Sequence, residues 1–183
     1  MDSPTFTALA ALPPIHLLCF SSLLGATLYQ SFVITKISYR ALPMSAFRSL
    51  QKQVWPFYFR AQAAFIFATA ITIPGDGSLF RSAGTLTCLP HAVALTSALL
   101  NTFIFESATR KAMIEVAHQE TRDARSQITK DADLNKEQGD ETSTTSKQIK
   151  KRFSSKHAMC IHLNLVTMGA ILAYGWTLAS RLN

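Results

Sequence analysis

Three stretches of this chain contain no lysine, arginine, aspartate or glutamate: Ile15 to Thr35, Leu86 to Phe105 and Met159 to Ala179. That absence excludes ordinary surface helices, which keep one charged face toward water. Each gap is about 20 residues long, the length a helix needs to cross roughly 30 Å of hydrocarbon. A fourth run, Trp55 to Thr72, is broken only by Arg60. Charged residues make up 16% of the 183, against roughly 25% in soluble domains, so the chain as a whole leans toward the bilayer. Cysteine is scarce. Cys19, Cys88 and Cys160 all fall within apolar runs, without a disulfide framework or zinc spacing, and read as small packing residues. Nucleophile elbows, paired catalytic carboxylates, phosphate loops and internal repeats are missing too. The first fourteen residues have no lysine or arginine, unlike the basic start of a secretory signal peptide. Helix one is therefore expected to stay as an uncleaved anchor.

What is present is basic. The net charge is +7, yet nucleic acid is not the expected partner, because the cations follow a membrane topology. All the lysines and arginines except Arg81 and Arg181 lie in two segments, 36–60 and 110–156. That asymmetry places both long connections in the cytosol and both termini outside it. The expected fold is all-α: a four-transmembrane-helix bundle with an interfacial amphipathic helix and a cytosolic helical extension. Residues 1–14 form a short luminal or extracellular terminus. The spans are 15–36, 55–73, 85–106 and 157–180. The amphipathic segment covers 37–54, and a luminal loop that opens within "IPGDGS" (73–78) covers 74–84. Residues 107–134 extend helix three into the cytosol. Residues 135–156 are expected to form a disordered basic linker, since the part "NKEQGDETSTTSK" has no apolar residue to offset the entropy of ordering.

Residues 47–58, taken as a helix, put Phe47, Leu50, Val54, Phe57 and Tyr58 on one side and Arg48 and Lys52 on another. Such a helix lies in the membrane interface, rings toward acyl chains and cations toward phosphates. Arg40 belongs to the same interface. Trp55 and Tyr58 are aromatic types that settle at headgroup level. Pro43 suits the entry of this helix and Pro56 the first turn of the next. Arg60 is then one turn into helix two, close enough to snorkel back.

These residues resemble the transmembrane protein 205-like family, small four-helix membrane proteins without a settled reaction. The resemblance rests on "HLL" (16–18), Gly25, "FV" (32–33), "RALP" (40–43), Phe47, "LQ" (50–51) and "PFYF" (56–59). It continues through Asn101, Glu106, Thr109, Met113, Phe153, His157 and Asn164, and spans nearly the whole chain from residue 14. One departure is Ser107, where the family pattern has proline. The resemblance implies an integral membrane protein of the endoplasmic reticulum, wider endomembrane system or plasma membrane.

Polar groups inside the membrane are the best pointers to function. His16, Gln30, Asn101, Glu106, His157 and Asn164 are expected to form one polar seam. Arg60 and Glu106 are candidates for an ion pair, as are Glu106 and Arg110. Gly169 and Ala173, a small-xxx-small pair, are expected to seat a neighbouring helix within the bundle, with a contact between subunits as the alternative. No metal site and no cofactor are expected; a haem between His16 and His91 is the weak alternative. The leading functional expectation is non-enzymatic: membrane organisation or trafficking, or handling of small lipophilic cargo. Expected partners are the bilayer, anionic cytosolic-leaflet lipids drawn to the cations of 147–156, and a second copy or another membrane protein. The alternative is a small membrane-embedded, oxygenase-like enzyme acting on a lipophilic metabolite such as a polyketide, with His157, Asn164 and Asn101 as candidate catalytic residues.

Overall fold

The computed structural model describes residues 4–73, 85–132 and 140–180, with side chains over 12–73, 88–128 and 144–180. Every element in these ranges is helical. Helix α1 (Pro4–Leu28) passes through a π-helical turn, Tyr29–Ile34, into α2 (Thr35–Ala41). Helix α3 covers Met44–Ile71. Helix α4 (Thr85–Leu100) passes through a second π-helical turn, Asn101–Phe105, into α5 (Glu106–Ala132). Helix α6 runs from Asp140 to Ala179. Three of these continuous rods are long and apolar enough to cross a membrane: Leu12–Ala41, Cys88–Ile128 and Thr144–Ala179.

The corner between α2 and α3 follows from "RALP". A residue before proline is pushed out of the helical region, and Leu42 is extended at φ −110°, ψ 145°. Pro43 then caps α3, and its carbonyl accepts the Phe47 amide at 2.9 Å. Tyr39 and Phe47 meet edge to face across the corner, ring centres 5.3 Å apart.

Three expectations are corrected here. Pro56 does not open a new helix: it lies inside α3, which carries residues 44–55 and 57–71 in one rod. Packing along the length of α3 outweighs the one backbone bond a proline deletes. Second, residues 140–156, expected to be disordered, form the first turns of α6. A helix already nucleated by its packed half lengthens one hydrogen bond at a time, without a fresh nucleation cost. Residues 133–139 and the expected luminal loop 74–84 lie outside the described residues. Third, α1 begins at Pro4 rather than near residue 15, with Pro13 and Pro14 inside it.

The chain divides into two compact units. The first comprises residues 1–102 and 163–183. Its core joins Phe20 and Leu23 of α1, Ile66 of α3, Ala94 and Ala98 of α4, and Ile171 and Tyr174 of α6. Gly175 permits a close approach: a Cβ there would stand 2.7 Å from Phe20 Cζ. Gly169 and Ala173 do not seat a helix within this unit. Both are exposed, and a Cβ on Gly169 would meet nothing within 4 Å. The second unit, residues 103–162, pairs α5 with the first half of α6. Ala112 and Val116 are buried there, Thr109 Oγ1 touches Cys160 Sγ at 3.3 Å, and Arg152 reaches Glu115 at 3.9 Å.

The first unit buries polar side chains among its apolar core and leaves large apolar ones outside. The inward stripe of α3 is Tyr58, Phe59, Gln62, Ile66 and Thr69, while Phe57 is 73% exposed. Helix α6 turns Asn164 and Thr167 inward and leaves Trp176 82% exposed. A soluble fold would reverse that choice. In lipid it is favourable, because hydrocarbon solvates the outer rings and only the interior offers partners for polar groups.

Candidate functional site

Two polar networks occupy the interior of the first unit. The first lies at the α3 end marked by Thr72. Thr72 Oγ1 donates to the Ala68 carbonyl at 2.7 Å. Its one hydrogen is thereby committed, so it accepts from His16 Nδ1, 3.1 Å away. In the neutral ring Nε2 is then an acceptor, and Tyr174 Oη donates to it at 2.5 Å. His91 packs its ring edgewise on Tyr174, centres 4.2 Å apart.

Both nitrogens of His16 are engaged, and Tyr174 contacts both imidazoles. The adjoining cavity, lined in part by His91, Tyr174, Thr69 and Ile66, has a volume of about 10 Å³, room for about one water molecule.

The second network is built from α1, its π-helical turn, α3 and α6. Tyr58 Oη donates to Asn164 Oδ1 at 2.8 Å. Gln62 Nε2 donates to Tyr58 Oη at 2.9 Å and to Asn164 Oδ1 at 3.1 Å, closing a triangle. Thr27 Oγ1 stands 3.4 Å from the same nitrogen. Asn164 Nδ2 donates to Ser31 Oγ at 2.9 Å. The π-helical turn shapes one wall, and such turns recur at functional sites. Its widened backbone is stabilised locally, since the amide and hydroxyl of Thr35 both donate to the Gln30 carbonyl. Gln62 is 3% exposed, yet its Oε1 has no hydrogen-bond partner.

The expected seam is redistributed. His16, Asn101 and Asn164 are buried. His16 and Asn164 join separate networks, and Asn101 opens the second π-helical turn. Gln30 is half-buried, with an Nε2 that lacks a hydrogen-bond partner. Glu106 pairs with Arg110 at 3.4 Å, the local i,i+4 option. His157 stacks on Phe153, ring centres 5.5 Å apart.

Of the interface residues, Arg40, Lys52 and Arg60 are exposed, while Phe47, Arg48 and Trp55 are half-buried. Tyr58 is the correction. It is 8% exposed and hydrogen-bonded inside the protein, because Asn164 supplies the partner that its hydroxyl would otherwise seek among headgroups. Sequence reasoning missed Gln62, Thr72 and Tyr174. The i,i+4 spacing of Tyr58 and Gln62 on one helix was the available signal; the partners on α1 and α6 had none.

A helical membrane protein with a closed polar interior is the class this geometry defines. The chain belongs to the family described as "Domain of unknown function (DUF4149)", which it matches over residues 18–118. It is also 39% identical over 170 residues to the Aspergillus fumigatus protein called "Xanthocillin biosynthesis cluster protein D", covering 92% of this chain and 90% of that one. No solved structure matches it.

Proposed function

We propose that this protein is a four-span membrane protein that holds or passes on a small lipophilic compound without transforming it. The carrying observation is the Tyr58–Gln62–Asn164 network, a neutral polar interior enclosed by helices with apolar outer faces. Helix α3 is the fourth span, with Arg60 near its cytosolic end. The sorting of cations supports cytosolic placement of 37–54 and 107–156, with both termini on the other side. The transmembrane protein 205-like pattern, "RALP" through "PFYF", supports a location in the endoplasmic reticulum, wider endomembrane system or plasma membrane. Arg48, Lys52 and the cations of 147–156 would engage anionic lipid, and a second copy or another membrane protein would be a natural partner. The name of the Aspergillus fumigatus relative, which refers to a biosynthesis cluster, supports a small-molecule setting.

The test is purification in mild detergent followed by mass spectrometry of what accompanies the protein. A defined lipophilic compound, absent from a mock preparation, is the expected result. Protein free of any such compound, together with unchanged metabolite distribution in a deletion strain, would end the reading. The oxygenase-like alternative draws on the same relative. Turnover of a candidate metabolite that disappears with alanine at Asn101, His157 or Asn164 would establish it instead.

A further inference from the structure

The geometry points to a more definite ligand class, an inference that rests on the cargo reading: the Gln62 network recognises a neutral headgroup that donates a hydrogen bond, carried on an apolar body. The amide of Gln62 presents its nitrogen to three oxygens, those of Tyr58, Asn164 and Thr27. That fixes the amide plane and turns Oε1 away from the network, buried and without a partner. An acceptor held in this way lacks one thing, a donor. The residues of the network, Thr27, Ser31, Tyr58, Gln62 and Asn164, are all uncharged. A carboxylate or ammonium headgroup would therefore lose its hydration with no counter-ion in return. A hydroxyl or a primary amide satisfies Oε1 without that penalty. The outward faces of the helices that carry the network are apolar, with Phe57 and Trp176 exposed, which suits the rest of such a molecule.

Trp55 provides the readout. It stacks on Phe59 at 5.2 Å and meets the Tyr58 ring at 5.5 Å, so its emission is coupled to the network. In a Trp176→Phe background Trp55 is the sole tryptophan. The protein in phosphatidylcholine nanodiscs is titrated with 1-decanol, decyl methyl ether and decanoate. A saturable change with decanol alone is expected, with affinity at least about tenfold weaker in Gln62→Met, whose volume and helix propensity preserve the fold. Circular dichroism of that variant verifies folding. Equal binding of the ether, unchanged decanol affinity in Gln62→Met, or no saturable change would overturn the inference. If a co-purifying compound has no donor group, the cargo reading survives and this one fails.

Discussion

Tyr174 Oη lies 2.5 Å from His16 Nε2, joining α6 to α1, while Thr72 Oγ1 of the α3 C-terminus accepts from the opposite nitrogen at 3.1 Å. One imidazole thus joins three helices. Hydrogen bonds between membrane helices are worth roughly 0.6–2 kcal/mol each. His16→Phe, which breaks both bonds, should lower stability by about 1–4 kcal/mol, and Tyr174→Phe by the worth of one such bond. A double-mutant cycle in detergent should return a coupling of similar size. Strictly additive effects would show the contact to be energetically idle.

Asn164 accepts from Tyr58 and Gln62 and donates to Ser31. Asn164→Leu strips several polar atoms of their partners at once. It should therefore cost more than Tyr58→Phe, about 2–3 kcal/mol against about 1 kcal/mol. Thermal unfolding in the same detergent checks the order. The reverse order would mean that the network is not built around Asn164.

Two glycines of α6 should respond with opposite signs. Gly175→Ala forces its Cβ against Phe20, which is itself packed edge to face on Tyr174. A loss of about 1–3 kcal/mol is expected. Gly169→Ala points into open space and should raise stability by roughly 0.5–1 kcal/mol through helix propensity. Both readings come from melting temperatures, and a stabilising Gly175→Ala would contradict the close α1–α6 approach.

Leu165 stands on the outer face of α6, 48% exposed. On a soluble protein, aspartate at such a site is nearly neutral. In a bilayer it costs about 2.5–3.5 kcal/mol near the centre of a span. Leu165→Asp should sharply reduce the fraction that resists carbonate extraction. Unchanged extraction would argue against α6 as a span.

Orientation is a separate matter. A protease site inserted within 135–139 should be cleaved in intact microsomes only from the cytosolic side, and a glycosylation acceptor there should remain unmodified. Protection from the protease together with glycosylation would reverse the proposed topology.

The long apolar runs were legible because their signal is local. A gap in charge of about 20 residues means the same thing in any context. "RALP" likewise announced its corner, since the restriction on Leu42 comes from the next residue alone. The fate of Pro56 was not legible, because whether a proline starts a helix or lies within one depends on what packs along both sides of it. Tyr58 was misplaced for the same reason. An amphipathic wheel ranks faces by polarity, and in a membrane the polar face is the one turned inward. Gly169 and Gly175 are indistinguishable in sequence; only the neighbour opposite each decides which allows close approach.

The order of residues alone determined that this chain is helical and suited to a bilayer, since charge and apolarity act through solvent and need no partner. The tertiary structure decided which polar side chains meet. Tyr58, Gln62 and Asn164 become one network only when helices separated by 100 residues or so are brought within hydrogen-bond reach, an interaction that fades within a few tenths of an ångström. That steep distance dependence is why the composition of the interior could be anticipated and its connections could not.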